Sequence, residues 1–338
     1  MLRRNLLAAG SCATLTACAG LPTAPPRSAA ARNLKVIAFP GGGNWPLWAA
    51  ESQGIFARNG LNVEVVPAPS STFQFSGLSR GEFDIALTAL DNIIAYREGQ
   101  GTPGIDGSDL VAVMGGDHGF LKLVARPDIR GIPDLRGKEL SVDALTTGYA
   151  FVLLELLARH GFVLDRDYRT VSAGGVRERF EQLLAGQHAA TMLVSPFEVL
   201  AQARGMQVLE DATGALGSYQ GVVAGVRRSW AALNPASVTA FVRAYRQALD
   251  WLYMPANKQA ALDLFVRNVP AATPQTAAVS YGILLHPVTG FERHARIGEA
   301  GMRTVIALRE KYGRPAKKLQ SIEAYYEPRY YQAASGSA

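Results

Sequence analysis

The chain of 338 residues is 48% hydrophobic and 18% charged, which excludes an intrinsically disordered polymer and supplies apolar material for two lobes rather than one. Lys and Arg outnumber Asp and Glu by 34 to 28, a net charge of +6, but the arginines are scattered and no basic run alternates with aromatics, which argues against nucleic acid as a partner. Both cysteines, Cys12 and Cys18, fall near the start, so the rest of the chain can form no disulfide; no later apolar run reaches the ~18 residues of a membrane-spanning helix.

In chain order, Arg3 and Arg4 come first, followed by an apolar stretch (Leu6 to Ala9, then Ala13 to Leu15) too short to cross a bilayer. That is the pattern of an export signal. Leu15-Thr16-Ala17-Cys18 resembles the lipobox of bacterial lipoproteins. The resemblance implies a signal peptide over residues 1–18, a lipidated Cys18, and membrane contact through that lipid. A plain signal peptide cut near Ala29-Ala30-Ala31 is the alternative, and the Arg3-Arg4 pair leaves the Sec and twin-arginine routes both open. Residues 19–32, with Pro22, Pro25 and Pro26 among Ala, Ser and Thr, read as a flexible spacer.

Short apolar runs then alternate with helical segments. Leu34 to Phe39 reads as a strand, broken by Gly41-Gly42-Gly43-Asn44. Pro46 to Arg58 reads as one helix, with Pro46 in its first turn and Asn59-Gly60 at its end. Leu61 to Val66 is a second strand, and Ser70-Ser71-Thr72 offers cap oxygens to a helix ending near Arg80. Phe83 to Thr88 is a third strand; Asp91-Asn92 cap a helix through Tyr96; Val111 to Gly115 is a fourth strand.

A second set follows. Strands are expected at Leu121 to Ala125, Glu139 to Val142, Arg169 to Val171, Ala189 to Val194 and Val208 to Glu210. Helices are expected at Tyr149 to Arg159, at Val176 to Leu184 and after Ser195-Pro196. Residues 219–226 look like a return strand. The remainder is helical: Pro235 to Tyr253, with Val238, Phe241, Tyr245, Leu249 and Leu252 at helical spacing, then about 257–268, 273–284 and 296–312. Strands alternating with helices predict an α/β fold with parallel sheets.

Pro46-Leu47-Trp48-Ala49, followed by Gly54-Ile55-Phe56 and Gly60-Leu61, resembles a segment of periplasmic solute-binding proteins of ABC transporters, of the nitrate/sulfonate/taurine and thiamine-precursor (NMT1/THI5-like) type. Gly81-Glu82-Phe83-Asp84-Ile85-Ala86 and Leu135-Arg136-Gly137-Lys138 are similar to two further motifs of that family, in the same order. The resemblance implies a two-lobed, type II periplasmic-binding-protein-like fold, each lobe a mostly parallel sheet flanked by helices. Lobe one would hold residues 33–120 plus 219–330, lobe two residues 121–218, and residues 331–338 would be a disordered tail. It further implies a monomer outside the cytoplasm that closes on a small-molecule ligand and presents it to an ABC permease in the inner membrane. No cofactor is expected. The solute would be a sulfonate, nitrate or related organic anion, or else an aminopyrimidine thiamine precursor; a sensory role is a further alternative.

In open α/β sheets ligands sit beyond the carboxyl ends of the strands, where helix N-termini present free N–H groups. This rule selects Asn44 and Trp45; Ser70, Ser71 and Thr72; Asp91; Thr146, Thr147 and Tyr149; and Ser195 and Glu198. Trp45 would be an aromatic cleft wall and Trp48 a core residue. Tyr149 and Tyr219 would line the same cleft, and His118 would stand at its edge. Helix capping alone also accounts for the Ser and Thr loops. The carboxylates Asp91, Asp117, Asp143 and Glu198 weigh against an anion and toward a ligand with N–H donors.

Catalytic patterns are missing from the sequence. Gly41-Gly42-Gly43 is not followed by Lys-Ser/Thr, there is no G-x-S-x-G, and the five histidines (118, 160, 188, 286, 294) show no metal-ligand spacing. The cysteine-rich motif of pyrimidine-synthesising relatives of this fold is also lacking. A binding protein rather than an enzyme is expected.

Overall fold

The computed structural model describes residues 31–336. The signal peptide, Cys18 and nearly all of the spacer lie outside the described residues. The spacer reading touches them only at its end, where Arg32 already pairs with Leu61.

The chain opens with β1 (Arg32–Ala38), a short 3-10 turn at Gly42–Asn44, α1 (Trp45–Ser52), α2 (Ile55–Arg58), β2 (Leu61–Pro67), α3 (Ser71–Arg80), β3 (Ile85–Ala89), α4 (Leu90–Arg97) and β4 (Leu110–Gly115). The single helix expected from Pro46 to Arg58 is two, because Gly54 takes a left-handed φ of 64° and breaks the ladder. A second group follows: β5 (Lys122–Ala125), β6 (Lys138–Val142), α5 (Gly148–Arg159), β7 (Tyr168–Ser172), α6 (Val176–Leu184), β8 (Ala190–Leu193), α7 (Phe197–Gln202), β9 (Gln207–Asp211) and α8 (Ala212–Leu216). The chain returns through β10 (Val222–Arg227) and continues as α9 (Arg228–Leu233), α10 (Pro235–Tyr253), α11 (Lys258–Asn268), α12 (Pro274–Leu284), α13 (Glu299–Tyr312) and α14 (Arg329–Ser335).

Two five-stranded sheets result, ordered β2-β1-β3-β10-β4 and β7-β6-β8-β5-β9. In each, four strands run the same way and one inserted strand is antiparallel to both its neighbours: β10 in the first sheet and β5 in the second. Those two strands follow the crossovers between lobes, at residues 116–121 and 217–221. A chain entering a lobe from its partner runs the opposite way to the strands built inside it.

Lobe one is anchored by α10, whose apolar stripe of Val238, Phe241, Tyr245, Leu249 and Leu252 is fully buried. Residues 331–335 of the tail expected to be disordered instead belong to α14, which buries Tyr330 and Ala334 and packs on α10. The sequence hid this because only two of its seven residues face the core. Asp91-Asn92 do not cap α4 either: the N-cap is Ala89, with no side-chain bond. Among the described residues no helix is long and apolar enough to cross a membrane.

Candidate functional site

A cavity of about 100 Å³ lies between the two lobes. Its walls are the segments leaving the carboxyl ends of β1, β3, β4, β6, β7 and β8, as the geometry of open α/β sheets requires. Lobe one contributes Phe39 to Gly41, Asn44, Thr88 and Asn92; the first crossover contributes Asp117 and Phe120. Lobe two contributes Asp143, Thr147 to Tyr149, Gly175, Val176 and Arg179. The lobes meet directly on either side. Gly42 donates its N–H to the Ser195 carbonyl at 2.9 Å, and Gly175 donates to the Pro69 carbonyl at 3.0 Å. A Cβ on Gly42 would stand 2.6 Å from Leu284 and 2.8 Å from the Ser195 oxygen, so this approach needs glycine.

Arg179 is the cation of the cavity. It is 3% exposed and comes from α6, whose amphipathic pattern turns it inward beside Val176, Phe180 and Leu183. Its hydrogen bonds go to neutral acceptors: Nε to Thr191 Oγ1 at 3.2 Å, Nη1 to the Gly174 carbonyl at 2.7 Å and Nη2 to the Met192 carbonyl at 3.2 Å. No carboxylate lies within ion-pair distance among the described residues. Burial lowers its affinity for a proton, and the more distant charges of Asp143 and Glu178 offset part of that effect. The N-termini of α5 and α6 open on the same cavity without a side-chain cap, adding free N–H groups and partial positive charge.

The model of the family described as NMT1/THI5 like matches residues 44–258, well over half of the chain. The chain belongs to the NMT1/THI5-like family. No curated protein matches it. Among solved structures it is similar to the alkanesulfonate-binding protein SsuA of Xanthomonas axonopodis pv. citri bound to MOPS, at 18% identity and a TM-score of 0.70, over 88% of this chain and 99% of that one. It is similar to the ligand-binding component of an ABC-type import system of Staphylococcus aureus with zinc bound, at 14% identity and a TM-score of 0.72, over 90% and 100% of the two chains. The nitrate-binding protein NrtA of Synechocystis PCC 6803 superposes at 17% identity with a TM-score of 0.64, over 73% and 69%. At such identities the likeness shows the fold, which is the two-lobed periplasmic-binding-protein fold.

In this NMT1/THI5-like chain the residues singled out from sequence separate into two sets. Asn44, Thr147 and Tyr149 line the cavity. Asn44 Nδ2 donates to the Phe39 carbonyl at 2.8 Å and fixes the turn after β1. Thr147 Oγ1 donates to the Ala144 carbonyl at 2.9 Å. Tyr149 is half-buried, and among the described residues its hydroxyl makes no hydrogen bond; burial pushes its ionisation well above the ordinary phenol range.

The others stand elsewhere. Trp45 is 0% exposed and packs in the lobe-one core, with its ring centre 4.5 Å from that of Phe265 and 5.8 Å from that of Tyr281. The aromatic wall of the cavity is Phe39, Phe120 and Tyr149 instead. Being the first residue of α1, Trp45 follows the helix into the core rather than facing the gap. Ser70, Ser71 and Thr72 are off the cavity; Ser70 Oγ accepts from the Phe73 N–H at 3.2 Å and caps α3.

Asp91 forms a buried bidentate pair with Arg309 of α13, at 2.7 Å (Nε to Oδ1) and 2.5 Å (Nη2 to Oδ2). Arg309 Nη2 also donates to the carbonyl of Thr146 at 2.6 Å, and Thr146 does not line the cavity. Tyr219 sits behind Tyr149, ring centres 6.4 Å apart, with a buried and unpartnered hydroxyl. Ser195 donates to Glu198 next to the lobe contact, and burial raises the Glu198 carboxyl to about 7. His118 adjoins Asp117 but does not line the cavity.

The sequence reading missed Arg179, Phe39 and Phe120 as cavity residues, while Asn92 lies in the strand-end loop 90–92 that it selected. Arg179 carried a signal in hindsight: it is a charge inside the apolar stripe of an amphipathic helix. Phe120 had none, since its φ of 31° at the crossover and its edge-on contact with Phe291 arise only in the folded chain.

Proposed function

We propose that the chain is the extracytoplasmic substrate-binding component of an ABC importer. It takes a small organic anion such as a sulfonate between its lobes and passes it on unchanged to an inner-membrane permease. The observation that carries this reading is Arg179, a buried guanidinium lining the interlobar cavity with no carboxylate within ion-pair distance among the described residues. A buried charge is costly unless it is paired, and a bound anion supplies the pair. The uncapped N-termini of α5 and α6 add donors to the same ligand. Phe39, Phe120 and Tyr149 cover its apolar part.

An aminopyrimidine is the second reading. It is favoured by Asp143, whose buried Oδ1 has no hydrogen-bond partner, and by Asp117; both would accept from ring or amino N–H groups.

A thermal-shift panel of alkanesulfonates, nitrate, small carboxylates and aminopyrimidines tests the proposal, because a ligand raises the unfolding midpoint by mass action. A rise with an anion and none with aminopyrimidines supports the first reading, and the reverse supports the second. Catalytic turnover of any member would reject both.

The Leu15-Thr16-Ala17-Cys18 segment supports anchoring through a lipid on Cys18. Cys18→Ser is expected to abolish incorporation of labelled fatty acid, and undiminished labelling would reject the anchor.

A further inference from the structure

Asp117 sits where the first crossover leaves β4, is 1% exposed, and lines the ligand cavity. Its side chain and backbone tie the two crossovers together. Oδ1 accepts from the N–H groups of Gly119, at 2.8 Å, and of Val222 at the start of β10, at 3.0 Å. Its carbonyl accepts from the Gly221 N–H at 3.0 Å and from Gln220 Nε2 at 3.1 Å. Gln220 in turn accepts from the Gly298 N–H ahead of α13 at 2.8 Å. Any Cβ on Gly221 would collide with Asp117 Oδ1, so the second crossover is shaped around this carboxylate. Among the described residues Oδ2 receives no hydrogen bond. One oxygen therefore holds the hinge and the other is left for the cavity.

We infer that Asp117 is a specificity-determining residue of the site, accepting a hydrogen bond from an N–H donor of the bound solute on Oδ2 while Oδ1 holds the two crossovers in the closed arrangement. The inference rests on the binding-protein reading and deepens it: the solute carries an acceptor or anionic group for Arg179 and an amino or N–H group for Asp117. Asp143, with its buried and unpartnered Oδ1, stands on the lobe-two wall beside Arg179 and favours the same donor character. A solute with both groups touches lobe two and the hinge at once, so closure reports that both are present.

The groups facing Asp117 are His118 beside it, Tyr149 from α5, Tyr219 from the second crossover and Tyr245 from α10. The segment after α12 meets it through Phe291. Burial raises the Asp117 carboxyl to about 6, and the N–H groups of Val222 and Gly119 and the neighbouring His118 pull it partly back. A cationic donor binds the ionised form, so its affinity falls as pH drops through this range.

The test uses a matched pair of probes, 2-aminoethanesulfonate and ethanesulfonate, whose charges do not change between pH 5 and 7.5. Calorimetric titration of the full chain is expected to show the aminated probe binding at least about tenfold more tightly at pH 7.5. That preference should shrink by about tenfold at pH 5, with ethanesulfonate nearly unaffected. Asp117→Asn is expected to bring the two probes within about threefold of each other and to remove the pH dependence of the preference, which a purely structural role would not do. Equal binding of the probes by the wild type, a pH-independent preference, or a preference retained in Asp117→Asn would overturn the inference. Should Asp117→Asn not fold, the wild-type pH series still decides. Ethanesulfonate binding more tightly sinks this inference and leaves the proposed function standing; binding of neither probe counts against both.

Discussion

Two helix N-termini in this chain look alike as sequence and differ in use. Ser70-Ser71-Thr72 opens α3 in lobe one, and Thr146-Thr147-Gly148 opens α5 in lobe two. At α3 the hydroxyls are spent within the protein: Ser70 Oγ takes the Phe73 N–H, and Thr72 Oγ1 lies 2.9 Å from Thr102 Oγ1. At α5 the cap position is held by Thr147, but its Oγ1 donates backward to Ala144, and no side-chain oxygen covers the first N–H groups. Something else must then hold the segment in place, and that is the Asp91–Arg309 pair, which grips the Thr146 carbonyl and leaves room only for a glycine at 148. A helix N-terminus keeps free donors where its own cap leaves them over and a distant contact supplies the rigidity the cap would have given.

This contrast can be broken most severely at Arg309. Arg309→Met leaves Asp91 charged, buried and alone, and is expected to cost about 3–5 kcal/mol of stability by urea unfolding. Adding Asp91→Asn should recover part of that loss, and no recovery would mean the pair does not act as a unit. The cation that the α5 and α6 termini surround comes next. Arg179→Lys should weaken binding of an anionic ligand about tenfold and Arg179→Met about a hundredfold by calorimetry, the range for losing charge-assisted hydrogen bonds. Unchanged affinity in Arg179→Met would remove the anion from the cavity. The smallest effects sharpen the comparison itself. Ser70→Ala should lower stability by about 1 kcal/mol and leave ligand affinity alone, whereas Thr147→Ala should weaken binding severalfold with a smaller loss of stability. The opposite pattern would reverse the roles of the two termini.

Much of the fold was legible in the sequence. The spacing of Val238, Phe241, Tyr245, Leu249 and Leu252 gave α10 its full extent, Pro235–Tyr253, and Val176–Leu184 was read to the residue. Local signals fail where packing overrules them. Gly54 split one expected helix, and α14 was hidden because its few apolar residues find a core only against α10. Of the residues singled out from sequence, Asn44 in the loop after β1 and Thr147 and Tyr149 after β6 line the cavity. Trp45, Asp91 and Ser70 were misread because an aromatic ring, a carboxylate and a hydroxyl at a strand end look the same whether they face a ligand or a partner elsewhere in the chain.

The sequence by itself determined the alternation of strands and helices, the family, and the set of loops from which a site could be built, since periodicity and turn chemistry act over a few residues. Tertiary structure alone decided which loops converge and which charges remain unpaired. Arg309 neutralises Asp91 from 218 positions away, while Arg179 has no carboxylate within ion-pair distance among the described residues. The pairing of a buried charge depends on which distant segment folding brings within a few ångströms of it.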